Sequence, residues 1–270
     1  MIEGSRWPSW LFRVAIAAIC LFIIAPIAVV LIGSFTAGDS VVFPPQGLSL
    51  RWYVTLVRGH ADLVEAFWVS LELALASAAL ATAVGLLAGF ALVRYDFAGR
   101  QPLTLLFLSP LLVPSIVIGI AMLQFLSTIG LGFHPAGLLL GHVIITLPFA
   151  IRLIVASLVG LDPALELAAR SLGAGRLAVF RRITLPLIRA GVVSGFILAF
   201  IVSFENVTVS LFLVSPQLVT LPVRIFGYIE NSPTPVVTVA SALLLFASGV
   251  LIAVLQRLVG VDRLWGSAHS

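Results

Sequence analysis

The chain contains no lysine: all fifteen of its basic residues are arginine. A P-loop needs a lysine to reach the terminal phosphates of a nucleotide, so this polypeptide cannot be its own P-loop ATPase. Charge of either sign is scarce, with 10% of the 270 residues charged against 61% hydrophobic and a mean hydropathy of +1.20. No water-soluble globule has that balance, and the composition defines an integral membrane protein. Cysteine occurs once, as Cys20 inside the first apolar run, which excludes a disulfide within the chain and leaves a thiol expected to be inert. No Cys/His/Asp group stands at metal-ligand spacing, and no nucleophile has a partnered base in a recognisable motif. An enzyme is therefore not expected, and neither is a cofactor. The net charge of +4 is spread along the chain rather than gathered in one basic stripe, so nucleic acid is not an expected partner.

What the chain has in abundance is long apolar runs. A span needs ~20 residues, and spans are expected at 11–32, 66–93, 103–126, 137–159, 190–214 and 236–258, six in all. The first run is too long for the apolar region of a signal peptide, and Phe35 stands where a small residue would precede a cleavage site at Ala37, so it reads as a retained helix. With both termini in the cytoplasm, twelve arginines fall on cytoplasmic segments and three (Arg51, Arg58, Arg224) on outer loops, the asymmetry of the positive-inside rule. The expected division is 1–65 for the first helix and outer loop, 66–260 for a five-helix core, and 261–270 for a cytoplasmic tail.

Small residues form two stripes, Ala81/Gly85/Gly89 and Gly191/Gly195/Ala199, which let helices approach closely. Pro110, Pro114 and Pro148 free backbone carbonyls within spans, either to shape a gated path or for packing alone. In the long outer loop, Trp52 and Tyr53 read as interfacial anchors or as part of a docking surface. His134 and His142 read as satisfied polar residues, with small effects expected on replacement by alanine.

The most informative stretch is the cytoplasmic loop at 160–189. Asp162-Pro163 is a helix start, with Asp as N-cap and Pro at the first helical position. Gly173 can adopt the left-handed conformation that ends a helix, and Pro186 restarts the chain into the next span. Between them stand Leu167-Ala168-Ala169, three residues, Gly173, nine residues, then Ile183, Thr184 and Leu185-Pro186, with Arg170, Arg176, Arg181 and Arg182 interspersed. This spacing resembles the EAA loop of ABC-transporter permeases of the binding-protein-dependent import class. Ala168, Ala169, Gly173, Ile183, Leu185 and Pro186 match; Leu167 stands where the family usually has Glu, and Glu166 sits one residue earlier.

Two carboxylates interrupt the apolar runs. Glu72 lies near the outer end of its span and reads as structural. Glu205 lies deep, ~22 Å from the start of the expected 190–214 helix, and needs water, a partner or a function. Ser203, Glu205 and Asn206, followed by an apolar run and Thr220-Leu221-Pro222, resemble the spermidine/putrescine branch, with Asn206 in place of a second acid. Glu205 either faces a solute path or serves packing only.

The resemblance implies an all-α, type I ABC importer permease fold in a bacterial inner membrane. It implies three partners: a second, homologous permease, a cytoplasmic ABC ATPase dimer and a periplasmic solute-binding protein. The ATPase-coupling residues would be Glu166, Leu167, Ala168, Ala169, Gly173, Ala174, Phe180, Ile183, Leu185 and Pro186. The pathway residues would be Ser203, Glu205 and Asn206, and the solute a polyamine or other amine. Aminoalkylphosphonates, opines and ferric iron are the alternatives within the family. A secondary transporter working without an ATPase would show an inverted repeat, which this sequence lacks.

Overall fold

The computed structural model describes residues 9–231 and 234–259. Among these the regular structure is entirely helical: α1 Ser9–Gly33, α2 Arg51–Gly59, α3 Ala61–Arg94, α4 Arg100–Leu108, α5 Ser115–Thr128, α6 Pro135–Val159, α7 Pro163–Ser171, α8 Arg176–Val179, α9 Leu185–Phe204, α10 Thr208–Leu213, α11 Leu221–Asn231 and α12 Pro235–Val259. The cytoplasmic tail expected at 261–270, Arg6 and Arg263 lie outside the described residues. Four helices are long and apolar enough to span a bilayer, and a fifth span is reached if α4 and α5 count as one.

Two expected spans differ from the observed helices. The third is not one helix, because the chain bends by 106° between Arg100–Leu111 and Ser115–Thr128. Pro110 and Pro114 bracket the bend, each lacking the N–H that would continue the ladder. The fifth is expected to run to residue 214, but α9 ends at Phe204, with its cap at Glu205, and α10 begins only at Thr208. Apolar composition runs straight through the first break, and the second holds only Glu205 and Asn206 within an otherwise apolar stretch, so hydropathy alone joins what the backbone separates. In the opposite direction, Pro186 does not restart the chain. Helix continues from Arg176 to Phe204 through a π-helical turn at Phe180–Thr184, whose wider loop accommodates the missing donor of Pro186.

Contacts divide the chain into two units. In the first, which among the described residues comprises 9–64, 227–231 and 234–246, the loop after α1 is tied by side chains to itself. The Trp52 indole donates to the Gly38 carbonyl at 2.9 Å, Tyr53 hydroxyl and Ser34 Oγ are 2.7 Å apart, and Arg51 pairs with Asp39. Both aromatics expected at the interface thus brace the loop.

In the second unit, which among the described residues comprises 65–226 and 247–259, α6 is central. The two small-residue stripes meet it from two helices. A Cβ on Gly85 of α3 would stand 3.3 Å from Ala150 Cβ, and one on Gly195 of α9 would stand 3.2 Å from the Ala150 carbonyl oxygen. Close backbone approach at one level of α6 is therefore what those glycines provide. Below it Ile154, Leu158, Leu161 and Ile188 form a buried cluster against Leu86, Phe90 and Val93 of α3.

Candidate functional site

The loop at 160–189 folds as the sequence expects at its first turn. Asp162 Oδ1 accepts from the Ala164 N–H at 2.8 Å, satisfying one orphan donor of α7, and Pro163 occupies the first helical position. The helix ends in a Schellman motif. Ala174 N–H bonds the Ala169 carbonyl at 3.1 Å, and Gly173 N–H bonds the Arg170 carbonyl at 3.0 Å. Gly173 takes φ +86°, and a Cβ there would meet nothing within 4 Å, so the glycine is required for conformation and not for space. Ala169, Gly173 and Ala174 of the motif are thereby one hydrogen-bonded turn, which sets the angle between α7 and α8.

None of the residues of α7 is fully buried. Leu167 is 59% exposed and Ala168 lies beside it on the outer face, while Glu166 and Ala169 face inward. Glu166 Oε2 lies 3.0 Å from Arg94 Nε at the end of α3, and both side chains keep only 13–14% of their exposure. The Arg94 Nε–H makes no aligned hydrogen bond, so this contact is Coulombic rather than a directed bond. Glu166 Oε1 accepts from Thr184 Oγ1 at 2.7 Å. The carboxylate one residue before Leu167 is thus turned toward Arg94 and Thr184 and away from the surface. Of the remaining motif positions, Phe180 stacks edge-on against Phe90 at 5.3 Å, Ile183 and Leu185 are half-buried, and Pro186 is exposed. A cavity of about 450 Å³ opens beneath α7, lined by Arg94, Tyr95, Glu166, Arg170, Arg176 and Phe180 among others.

At the other end of α9, Ser203, Glu205 and Asn206 have different environments. Glu205 caps the helix and is exposed. Asn206 Oδ1 accepts from the N–H groups of Val209 at 2.9 Å and Ser210 at 3.3 Å, so this side chain holds the start of α10. Ser203 is buried in a chain of hydrogen bonds that the sequence does not reveal. Ser77 Oγ donates to Ser203 Oγ at 2.9 Å, Ser203 Oγ and His142 Nδ1 are 2.8 Å apart, and His142 Nε2 and Ser210 Oγ are 3.0 Å apart. Ser210 Oγ gives its proton to the Asn206 carbonyl at 2.7 Å. It must therefore accept from Nε2–H, and in the neutral imidazole Nδ1 then accepts from Ser203. The network joins α3, α6, α9 and α10 directly beneath the break that carries Glu205.

An all-helical membrane chain with a basic helix–turn–helix between two spans and a broken helix bearing one exposed acid is the architecture of a solute permease subunit. Its family is the binding-protein-dependent transport system inner membrane component, whose model matches residues 81–261, and the chain belongs to it. It is thus a multi-pass inner-membrane permease subunit of an ABC importer. The spermidine/putrescine transport system permease protein PotC of Escherichia coli (strain K12) is 30% identical over 250 residues, 93% of this chain and 94% of that one. The putrescine transport system permease protein PotI of the same organism is 32% identical over 238 residues, covering 85% and 84%. The molybdate/tungstate transport system permease protein WtpB of Pyrococcus abyssi (strain GE5 / Orsay) is 30% identical over 258 residues, covering 95% and 98%. Among solved structures, a bacterial alginate ABC transporter in complex with alginate pentasaccharide-bound periplasmic protein has a chain matching with TM-score 0.71 at 17% identity, covering 92% of this chain and 93% of that one. The MetNI methionine ABC transporter in an inward-facing conformation matches with TM-score 0.60 at 20% identity, covering 74% and 95%.

Proposed function

We propose that this chain forms, with a second homologous permease, the translocation path of an ATP-driven importer for a polyamine or another amine-bearing solute. In this reading the chain crosses the membrane six times with both termini cytoplasmic, and a periplasmic binding protein delivers the solute. The α7–α8 turn receives the push of a separate ATPase dimer, and the two ATPase states must contact it differently for ATP to drive the change. The observation that carries the solute class is Glu205. It is an exposed carboxylate at a helix break deep in an apolar chain, where a hydrated path would solvate it and where a cationic solute would be favoured. Asn206 is engaged in capping α10.

The relatives named for spermidine and putrescine point the same way, whereas the molybdate/tungstate relative marks the competing class, an oxyanion. A carboxylate in the path would repel molybdate. The test is uptake into proteoliposomes holding this chain with its partner permease, ATPase and binding protein. ATP-dependent uptake of labelled putrescine or spermidine is expected, with molybdate excluded. Glu205→Gln keeps the shape and removes the charge; it should leave assembly and ATP hydrolysis near wild type and cut amine uptake at least several-fold. Unchanged amine uptake in the assembled variant would leave Glu205 a packing residue only.

A further inference from the structure

We infer that Glu166 and Arg94 form a clamp that makes the coupling helix move as one body with α3 and the start of α9, so that Glu166 is a positioning residue for transport rather than part of the surface offered to the ATPase. The inference rests on the importer reading above and assigns the internal step that reading leaves open: how displacement of α7 reaches the spans.

The need for such a device follows from how little else holds α7. No residue of this nine-residue helix is fully buried, and only Glu166 and Ala169 are even half-buried. Beneath it lies the cavity of about 450 Å³, so packing alone would let a pushed helix tilt into empty space before any span moved. Glu166 bridges that gap. One carboxylate oxygen faces Arg94 at 3.0 Å, on the last residue of α3. The other accepts from Thr184, which is itself fully buried at the end of the π-helical turn leading into α9. Arg94 also reaches the Leu161 carbonyl at 3.4 Å, a long contact that ties in the connection from α6. Three helices and one linker thus converge on a single ion pair. It is little exposed, so solvent screens it weakly. A second contact, Phe180 on Phe90, lies on the far side of the turn and cannot by itself fix the tilt of α7.

The geometry also accounts for the separation of roles along α7. Leu167 stays 59% exposed at the edge of the cavity while the adjacent acid is consumed internally, 100° around the helix.

The test is a double-mutant cycle in the assembled transporter, read as solute moved per ATP hydrolysed with putrescine as probe. Glu166→Gln keeps the shape and an acceptor for Thr184 while removing the charge. It should assemble and hydrolyse ATP at close to the wild-type rate, yet move about three- to tenfold less putrescine per ATP. Glu166→Leu and Arg94→Met should each uncouple as strongly or more, because each strands one partner. The combined apolar pair should recover most of the coupling, since packed side chains can carry the same load. A wild-type ratio in assembled Glu166→Gln would overturn the clamp. So would a double variant no better than the worse single one, or loss of assembly in Glu166→Gln, which would make Glu166 a folding residue.

A solute-independent readout separates this from the amine reading. Spin labels at the exposed Leu87 of α3 and Leu172 after α7, with Cys20 replaced, should give one narrow distance distribution in the wild-type complex and a broadened one in Glu166→Leu. Equal widths would refute the clamp whatever the solute, whereas absence of putrescine uptake by the wild-type complex, with the narrow-to-broad change intact, would refute only the amine assignment.

Discussion

Gly173 shows how a single residue can matter without touching anything. Its φ of +86° lies in the left-handed region, and a side chain there would find open space, so a substitution costs conformational energy alone. That cost is ~1–2 kcal/mol for an ordinary L-residue, larger for a β-branched one and smallest for asparagine. Gly173→Val should therefore deform the α7–α8 turn while leaving the spans, assembly and thermal stability near wild type. Gly173→Asn should restore most of the turn. Putrescine uptake normalised to assembled complex is the measurement; equal loss in the two variants would mean that the turn needs absence of a side chain rather than freedom of φ. Glu166 is the opposite case, a residue whose value lies entirely in its partners. Breaking a largely buried pair by removing one member costs roughly 3–5 kcal/mol in well-buried cases, and the residual exposure of this pair places it toward the lower end.

Among elements, the broken α9–α10 segment is held by the Ser77–Ser203–His142–Ser210 network, and the cost of disturbing it follows from the count of partners lost. Interhelical hydrogen bonds in membranes average about 0.6 kcal/mol, so Ser203→Ala, which loses two, should destabilise by about 1 kcal/mol. His142→Ala loses its two ring bonds and also empties a fully buried imidazole site, for roughly 2–4 kcal/mol. His134 only caps α6, through Nδ1 accepting from Ala136 N–H at 3.1 Å at the surface, and His134→Ala should cost ~0.5–1 kcal/mol. Thermal unfolding of the detergent-solubilised chain, followed by tryptophan fluorescence, should rank the three His142, Ser203, His134; His142→Ala no worse than His134→Ala would remove the network from the account. The small effect expected for His142 from sequence is thus revised.

That revision marks the boundary of what a sequence discloses here. Local signals translated directly: Asp162-Pro163 as a helix start, Gly173 as a left-handed stop, and glycines at four-residue spacing as close-packed faces on α6. Those depend on a residue's own backbone or on spacing within one helix. At 205–207 Glu205 and Asn206 marked polarity within a span but not the end of a helix. The break at 112–114 did not translate, because apolar composition is uninterrupted across it. Nor did the inward turn of Glu166 or the serine–histidine chain, since each joins residues 61 to 126 positions apart or depends on which side of a helix meets a neighbour. Arg94 counted only as a cytoplasmic charge; nothing local distinguishes it from Arg100, which pairs at the surface with Asp96.

At the scale of the whole molecule, the division of labour follows from what the chain lacks and what it leaves exposed. Without lysine there is no P-loop, and in the importer reading proposed above the energy of ATP enters through a surface that another protein pushes. The described structure offers one such surface with the right character, the nine-residue α7 with Leu167 and the adjoining Leu172 outward and arginines beside them, attached to the spans through a few polar contacts. A helix this exposed and this weakly packed is an unfavourable thing to keep unless a partner covers it. The purified chain should accordingly bind no nucleotide and hydrolyse no ATP above the detergent blank. Adding the cognate ATPase should produce hydrolysis that Leu172→Asp suppresses, because a carboxylate at a position 89% exposed in the isolated chain perturbs little until a partner buries it. Fluorescent-nucleotide binding and phosphate release are the two readouts. Saturable nucleotide binding by the isolated chain would place a site in this polypeptide and defeat the division. Hydrolysis indifferent to Leu172→Asp in the reconstituted complex would move the point of contact away from α7.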